Sequence, residues 1–171
     1  MTTARRSAAS STRSGAAPSS RCRNHCIRRE FADFWREHGE ILTNAQHYHE
    51  AAPQLVLMGF LQRVVGGGYV DREYGIGRGR IDLLVRWPHP TPAGKQAWQR
   101  EAIEMKVWRK GKPDPLDEGL TQLDGYLDRL GLGTGALVIF DRRPQAAPVA
   151  ERTVFTQATS PSGRAVTVLR A

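Results

Sequence analysis

Apolar and polar residues alternate with the period of a β-strand along two stretches of this chain. In Arg80-Ile81-Asp82-Leu83-Leu84-Val85 the alternation puts Ile81, Leu83 and Val85 on one face and Asp82 on the other. In Ala102-Ile103-Glu104-Met105-Lys106-Val107 it gives Ile103, Met105 and Val107 one face, and Glu104 and Lys106 the opposite one. A polar loop with Pro88, Pro90, Pro92 and Gly94 separates them, so the pair reads as an antiparallel hairpin. Before it, Ile27, Phe31, Phe34, Trp35, His38 and Ile41 or Leu42 fall at helical spacing, weakened near the end by Gly39. Thr43 with Gln46 suggests a capping box that opens a second helical segment through His47, Tyr48 and Glu50. Pro53 kinks or restarts that segment, and Leu55 to Val65 reads as a buried helix ended by three glycines.

The remaining pattern is equally periodic. Tyr69 to Tyr74 alternates as a first strand, while Leu116, Leu120, Leu123, Leu127 and Leu130 mark a helix stopped by Gly131 and Gly133. Ala136-Leu137-Val138-Ile139-Phe140 predicts a strand buried on both faces and parallel to a neighbour. Thr153 to Gln157 and Ala165 to Leu169 flank Ser160-Pro161-Ser162-Gly163 as a terminal hairpin. The order is helix, helix, three meandering strands, helix, strand, hairpin, which predicts an α/β domain with a mixed sheet and helices on its faces.

Composition changes the picture in one respect. The 171 residues carry a formal charge of +8, but residues 1–29 hold seven arginines and no acid. Setting these aside from the 25 basic residues leaves 18 against 17 acidic ones, so the remainder is nearly neutral. Residues 1–26 read as a disordered basic tail able to hold phosphate loosely, and 27–171 as one folded domain. No run of apolar residues is long enough to span a membrane, and the amino end has no secretory core, so a cytoplasmic location is expected. Cys22, His25, Cys26, His38, His47 and His49 match no zinc-ligand spacing.

Two carboxylates and an amine on one side of a sheet are costly unless paired or bound to a cation. Asp82 and Glu104 offer hard oxygen ligands for Mg²⁺ or Mn²⁺, and the Met105 carbonyl between the two active side chains offers another. Lys106 would orient or activate water, or face the charge developing on a phosphoryl group. A surface salt bridge between Lys106 and either carboxylate is the plain alternative, and such pairs contribute little.

Gly79-Arg80-Ile81-Asp82-Leu83 followed by Glu104-x-Lys106 resembles the core of the PD-(D/E)XK phosphodiesterase superfamily, with Ile81 standing where proline precedes the aspartate in the superfamily's name. Gln122-x-x-x-Tyr126 is similar to the motif that follows the catalytic hairpin in the RecB-like branch, and its two residues share a helical face. Residues from about 28 to 171 further resemble the nuclease-like C-terminal domain attached to certain bacterial AAA-type ATPases. His47-Tyr48-His49-Glu50, Phe60-Leu61-Gln62-Arg63 and Gly119-Leu120-x-Gln122-Leu123-x-x-Tyr126 carry that likeness beside the hairpin.

The resemblance implies a restriction-endonuclease-like mixed β-sheet flanked by α-helices. It implies a metal-dependent nuclease acting on nucleic acid, DNA foremost, with Asp82, Glu104 and Lys106 at the centre and Mg²⁺ or Mn²⁺ as cofactor. Glu50, on the helix before the first strand, becomes a third metal ligand, with Glu73 as its competitor unless Arg72, Arg78 or Arg80 pairs with it. Gln122, Tyr126 and Arg80 become site-shaping or substrate-binding residues. No Walker A loop or dinucleotide fingerprint is present, so an AAA-type ATPase would be a partner or a further domain. A module that keeps the nuclease fold without cutting, associated with such an ATPase, is the alternative function.

Overall fold

The computed structural model describes residues 20–44, 52–64, 67–76, 79–91 and 93–171. The apolar run from Ala136 becomes β4 (Thr134–Asp141), six of whose residues in succession are buried. It lies parallel to β3 (Gln96–Trp108) on one side and to β6 (Ala165–Arg170) on the other. A strand covered on both faces has no polar face to alternate with, which is why its sequence reads as continuous. Antiparallel pairing extends the sheet from β3 through β2 (Gly79–Pro90) to β1 (Tyr69–Ile76), and from β6 to β5 (Val154–Thr159). The order is β1-β2-β3-β4-β6-β5.

Helices α1 (Ser20–Asn44) and α2 (Ala52–Val64) cover one face of the sheet, and α3 (Leu116–Leu130) covers the other. A four-residue helix, α4 (Val149–Arg152), leads into β5. This is the mixed α/β architecture expected, consistent with a restriction-endonuclease-like fold. No helix among the described residues is long and apolar enough to cross a membrane.

Two cores follow from the two faces. Phe31, Trp35, Leu57 and Leu61 pack on Leu83, Val85, Ile103, Met105 and Phe140 beneath α1 and α2. Leu120, Leu123 and Leu127 pack on Ile81, Leu84, Ala102, Leu137 and Ile139 beneath α3. Odd positions 103 and 105 of β3 thus face α1 and α2, while Ala102 faces α3. An ion pair ties α1 to the sheet, with Arg28 Nη1 3.1 Å from Glu101 Oε1, and burial raises the Glu101 carboxyl above its usual range.

Several boundaries differ from the expectation. The strand β2 continues through Pro88 and Pro90, and the turn is closed by hydrogen bonds of Thr91 with Gly94 and Lys95, Gly94 standing at φ 72°. Beyond Arg86 the strand has no β1 neighbour, so a proline without an N–H costs it no ladder bond on that side. Helix α2 is half-buried, because Leu57 and Leu61 point inward while Leu55 is exposed. Thr43 lies inside α1, and residues 45–51, which include Gln46, His47, Tyr48, His49 and Glu50, lie outside the described residues.

Helix α3 sits close to the sheet because Gly119 has no side chain. A Cβ there would come within 2.7 Å of Leu137 Cδ1, and Leu137 is fully buried. Gly119→Val is therefore expected to cost about 1–3 kcal/mol in urea unfolding. Gly125→Ala, on the same helix but with nothing within 4 Å of the added carbon, is expected to gain up to ~1 kcal/mol.

The second half of α3 is tied to the β5–β6 turn by hydrogen bonds and charge. Asp124 accepts hydrogen bonds from Ser160 Oγ (2.6 Å), Ser162 Oγ and Arg164 Nη1 (2.8 Å) in and beside the β5–β6 turn. The serine hydroxyls first, and Arg164 with them, lower its carboxyl from 3.8 to about 2. A depressed carboxyl contributes stability above its unfolded value and loses it as pH falls. The urea midpoint of Asp124→Asn is expected to lie below wild type at neutral pH, the gap closing as pH falls from 3.8 to about 2.

Candidate active site

Pairing between β2 and β3 runs from Pro90↔Gln96 to Leu83↔Ile103 and goes no further. At the next residue a side chain replaces the main chain, and Asp82 Oδ2 accepts the Met105 N–H at 2.7 Å. On the other side of β2 the ladder passes from Arg72↔Leu83 to Tyr74↔Ile81, with no pairing of Glu73 to Asp82. Glu73 holds a φ of 48°, in the left-handed region. A non-glycine residue there costs ~1–3 kcal/mol, and such strain gathers where function constrains the backbone.

This irregularity corrects the expected faces. Leu83 and Val85 pack beneath α1 and α2, whereas Ile81 packs with Leu84 beneath α3, so the phase of β2 slips at Asp82. Asp82 consequently lies where the strands part. It lines a small pocket with Gln54, Leu55 and Met58 of α2, Arg72 and Glu73 of β1, and Met105.

Glu104 and Lys106 project from β3 toward α3 as the alternation requires. Lys106 Nζ lies 3.4 Å from Glu104 Oε1 and 3.2 Å from Glu118 Oε1, and donates a hydrogen bond to Gln122 Oε1. The Glu104 side chain is 6% exposed and that of Lys106 16%, so their bridge is not the exposed pair of the plain alternative. Glu104 Oε2 is buried without a hydrogen-bond partner. Burial first, then the charge of Asp82, push the Glu104 carboxyl up from 4.5 to about 7, against the pull of Lys106. Burial also raises Asp82, partly offset by the Met105 N–H and then by Lys106.

Two raised carboxyls, one with a buried oxygen lacking a donor, form a set that a divalent cation would satisfy. Asp82 and Glu104 are acidic oxygen donors suited to Mg²⁺ or Mn²⁺. The Met105 carbonyl leaves β3 on the same side as its N–H, toward Asp82. Among the described residues no three His, Cys, Asp or Glu side chains group as metal ligands. Any third carboxylate would have to come from elsewhere, and Glu50 is outside the described residues.

The other expected site residues divide. Gln122 reaches Lys106 directly. Tyr126 packs partly buried against the core beneath α3. Since α3 runs antiparallel to β3, with Gln122 at Lys106 and the Leu130 carbonyl bound by Arg100, Tyr126 falls between those levels. Arg80 lies 3.3 Å from Glu73, and Arg72 approaches the same carboxylate at 3.4 Å. Both pairs were open options for Glu73, and both are half-exposed or more. Glu118 and Gln54 escaped the sequence reading. Glu118 stands one turn before Gln122, and Gln54 is a polar interruption in an apolar helix, so spacing carried a signal for each.

No family model, curated protein or solved structure matches this chain. The functional reading therefore stands on the residues and their geometry.

Proposed function

We propose that this protein is a divalent-cation-dependent nuclease of the PD-(D/E)XK type, hydrolysing phosphodiester bonds in nucleic acid, DNA foremost. The observation that carries the reading is Asp82 bound to the Met105 N–H, between Glu104 and its partner Lys106 in β3, where β2 parts from β3, with one Glu104 oxygen buried and unpartnered. Asp82 and Glu104 would hold Mg²⁺ or Mn²⁺, joined by Glu50. When bound, such a cation neutralises a nonbridging phosphate oxygen and lowers the pKa of water.

The chain's own residues do the rest. The Met105 N–H fixes the Asp82 carboxylate against rotation. Gln122 and Glu118 hold the Lys106 ammonium beside Glu104, where it can hydrogen-bond to water or to a phosphate oxygen. A compact ammonium suits both tasks, since it donates in three directions and carries full charge. Arg72, in the pocket beside Asp82 and paired there with Glu73, would place a second cation near the substrate backbone.

A binding module of the same fold, working with an AAA-type ATPase, is favoured by one feature: the Lys106 ammonium is already engaged by three side chains. Incubation of single- and double-stranded DNA and RNA with and without Mn²⁺ decides between them. Cleavage that requires the cation supports the nuclease. Calorimetric cation binding at Asp82 and Glu104 with no cleavage of any substrate moves the protein to the second reading.

A further inference from the structure

The far end of the β1–β2–β3 meander carries two of the large apolar side chains that the fold leaves exposed, Tyr69 at 56% and Trp98 at 47%. They touch each other, with ring centroids 5.5 Å apart and planes at 37°. Arg86 lies with its guanidinium 5.4 Å from the Tyr69 ring centroid, held by Asp71 at 2.8 Å. Both rings stay half-exposed while packing on each other, although either would gain by entering a core. Fixed, exposed rings beside a guanidinium are what stacking on a flat ligand requires.

Position along β3 says more. Trp98 has the same parity as Glu104 and Lys106, so it lies on the sheet face that carries them. Arg100, between them in the same row, binds the Leu130 carbonyl at the end of α3. Tyr69 is paired with Arg86, and Pro88 with Trp98, so all four sit together beyond the end of that helix. At ~3.3 Å per residue, Trp98 is roughly 20 Å from Glu104, a span of a few nucleotides. The cations nearby in sequence and pairing, Arg86, Lys95 and Arg100, outnumber the acids on this end, where Asp71 is already paired.

We propose that Tyr69 and Trp98 form a stacking platform for unpaired bases, which holds a single strand of nucleic acid at a distance from the carboxylate site. The proposal shares its nucleic-acid partner with the function proposed above, but stacking needs no cation and no cleavage. Bases of any identity present a π-face, so the platform would select single strands over duplex rather than one sequence over another.

The test is fluorescence anisotropy of a short fluorescein-labelled oligothymidylate in EDTA at fixed salt, with the full chain. Trp98→Ala is expected to weaken binding about 10-fold, and Trp98→Phe to retain most of it. An abasic strand of the same length should bind wild type as weakly as the normal strand binds Trp98→Ala. Equal binding by wild type and Trp98→Ala, or equal binding of normal and abasic strands, overturns the platform. Loss of self-association in Trp98→Ala by sedimentation, with oligonucleotide binding unchanged, also overturns it and assigns the patch to a second copy of the chain. Strand binding through Trp98 in a protein that never cleaves upholds the platform and removes the nuclease, whereas cation-dependent cleavage by a protein whose strand binding is indifferent to Trp98 does the reverse.

Discussion

Lys106→Ala is expected to lower cleavage by about 10²–10⁴-fold while leaving calorimetric Mn²⁺ binding nearly intact. The ammonium is not an oxygen ligand, and its removal leaves Asp82 tied to Met105 and Glu104 buried as before. What disappears is an ammonium that joins Glu104 to Glu118 and Gln122 of α3. Because the Lys106 ammonium lies 3.4 Å from Glu104 and repels a cation there, Mn²⁺ affinity should rise slightly. A Lys106→Ala protein that cuts as fast as wild type would sink the mechanism.

Glu104→Gln is expected to abolish both cation binding and cleavage, yet to make the metal-free protein more stable at neutral and alkaline pH. The sign follows from the carboxyl's raised position, about 7 folded against an ordinary 4.5. A carboxyl that binds its proton more tightly when folded contributes most below 4.5, and stability declines as pH rises from there to about 7. The amide has no charge to bury, and Lys106 keeps Glu118 as its partner. The gain in EDTA above that range should be no more than roughly 3 kcal/mol. Urea melts of both proteins across the range measure it, and an unchanged or lower midpoint for Glu104→Gln at high pH would contradict the account. A residue whose removal stabilises the fold and stops the chemistry is one kept for function.

How far the sequence anticipated this arrangement varies with the physics of each element. The leucines of α3 and the unbroken run of β4 were legible because burial on one stripe or on both faces writes itself directly into residue type. So were Glu104 and Lys106, since β3 keeps a regular period through both. The phase slip at Asp82 was hidden, because it depends on Glu73 in the neighbouring strand adopting a conformation that glutamate rarely takes. The length of β2 was hidden for a related reason: Pro88 and Pro90 look like loop residues until the partner strand is seen to stop short of them. Arg80, next to Asp82 in sequence, pairs with Glu73, which lines the pocket beside Asp82. Gln122 could be placed through the resemblance of Gln122-x-x-x-Tyr126 to a known motif, whereas Glu118, one turn earlier on the same stripe, carried only the spacing.

The side chain that closes the gap between β2 and β3 also sets a limit on denticity. One Asp82 oxygen is committed to the Met105 N–H, and one Glu104 oxygen faces Lys106. Each carboxylate can then present a single atom to an incoming ion. A cation accepting seven or eight ligands, with bidentate carboxylates among them, would have to share an oxygen with one of those bonds and weaken it. A small octahedral ion that retains most of its water would not. Preference for Mg²⁺ or Mn²⁺ over Ca²⁺ would therefore be written in a main-chain hydrogen bond, well before any substrate arrives.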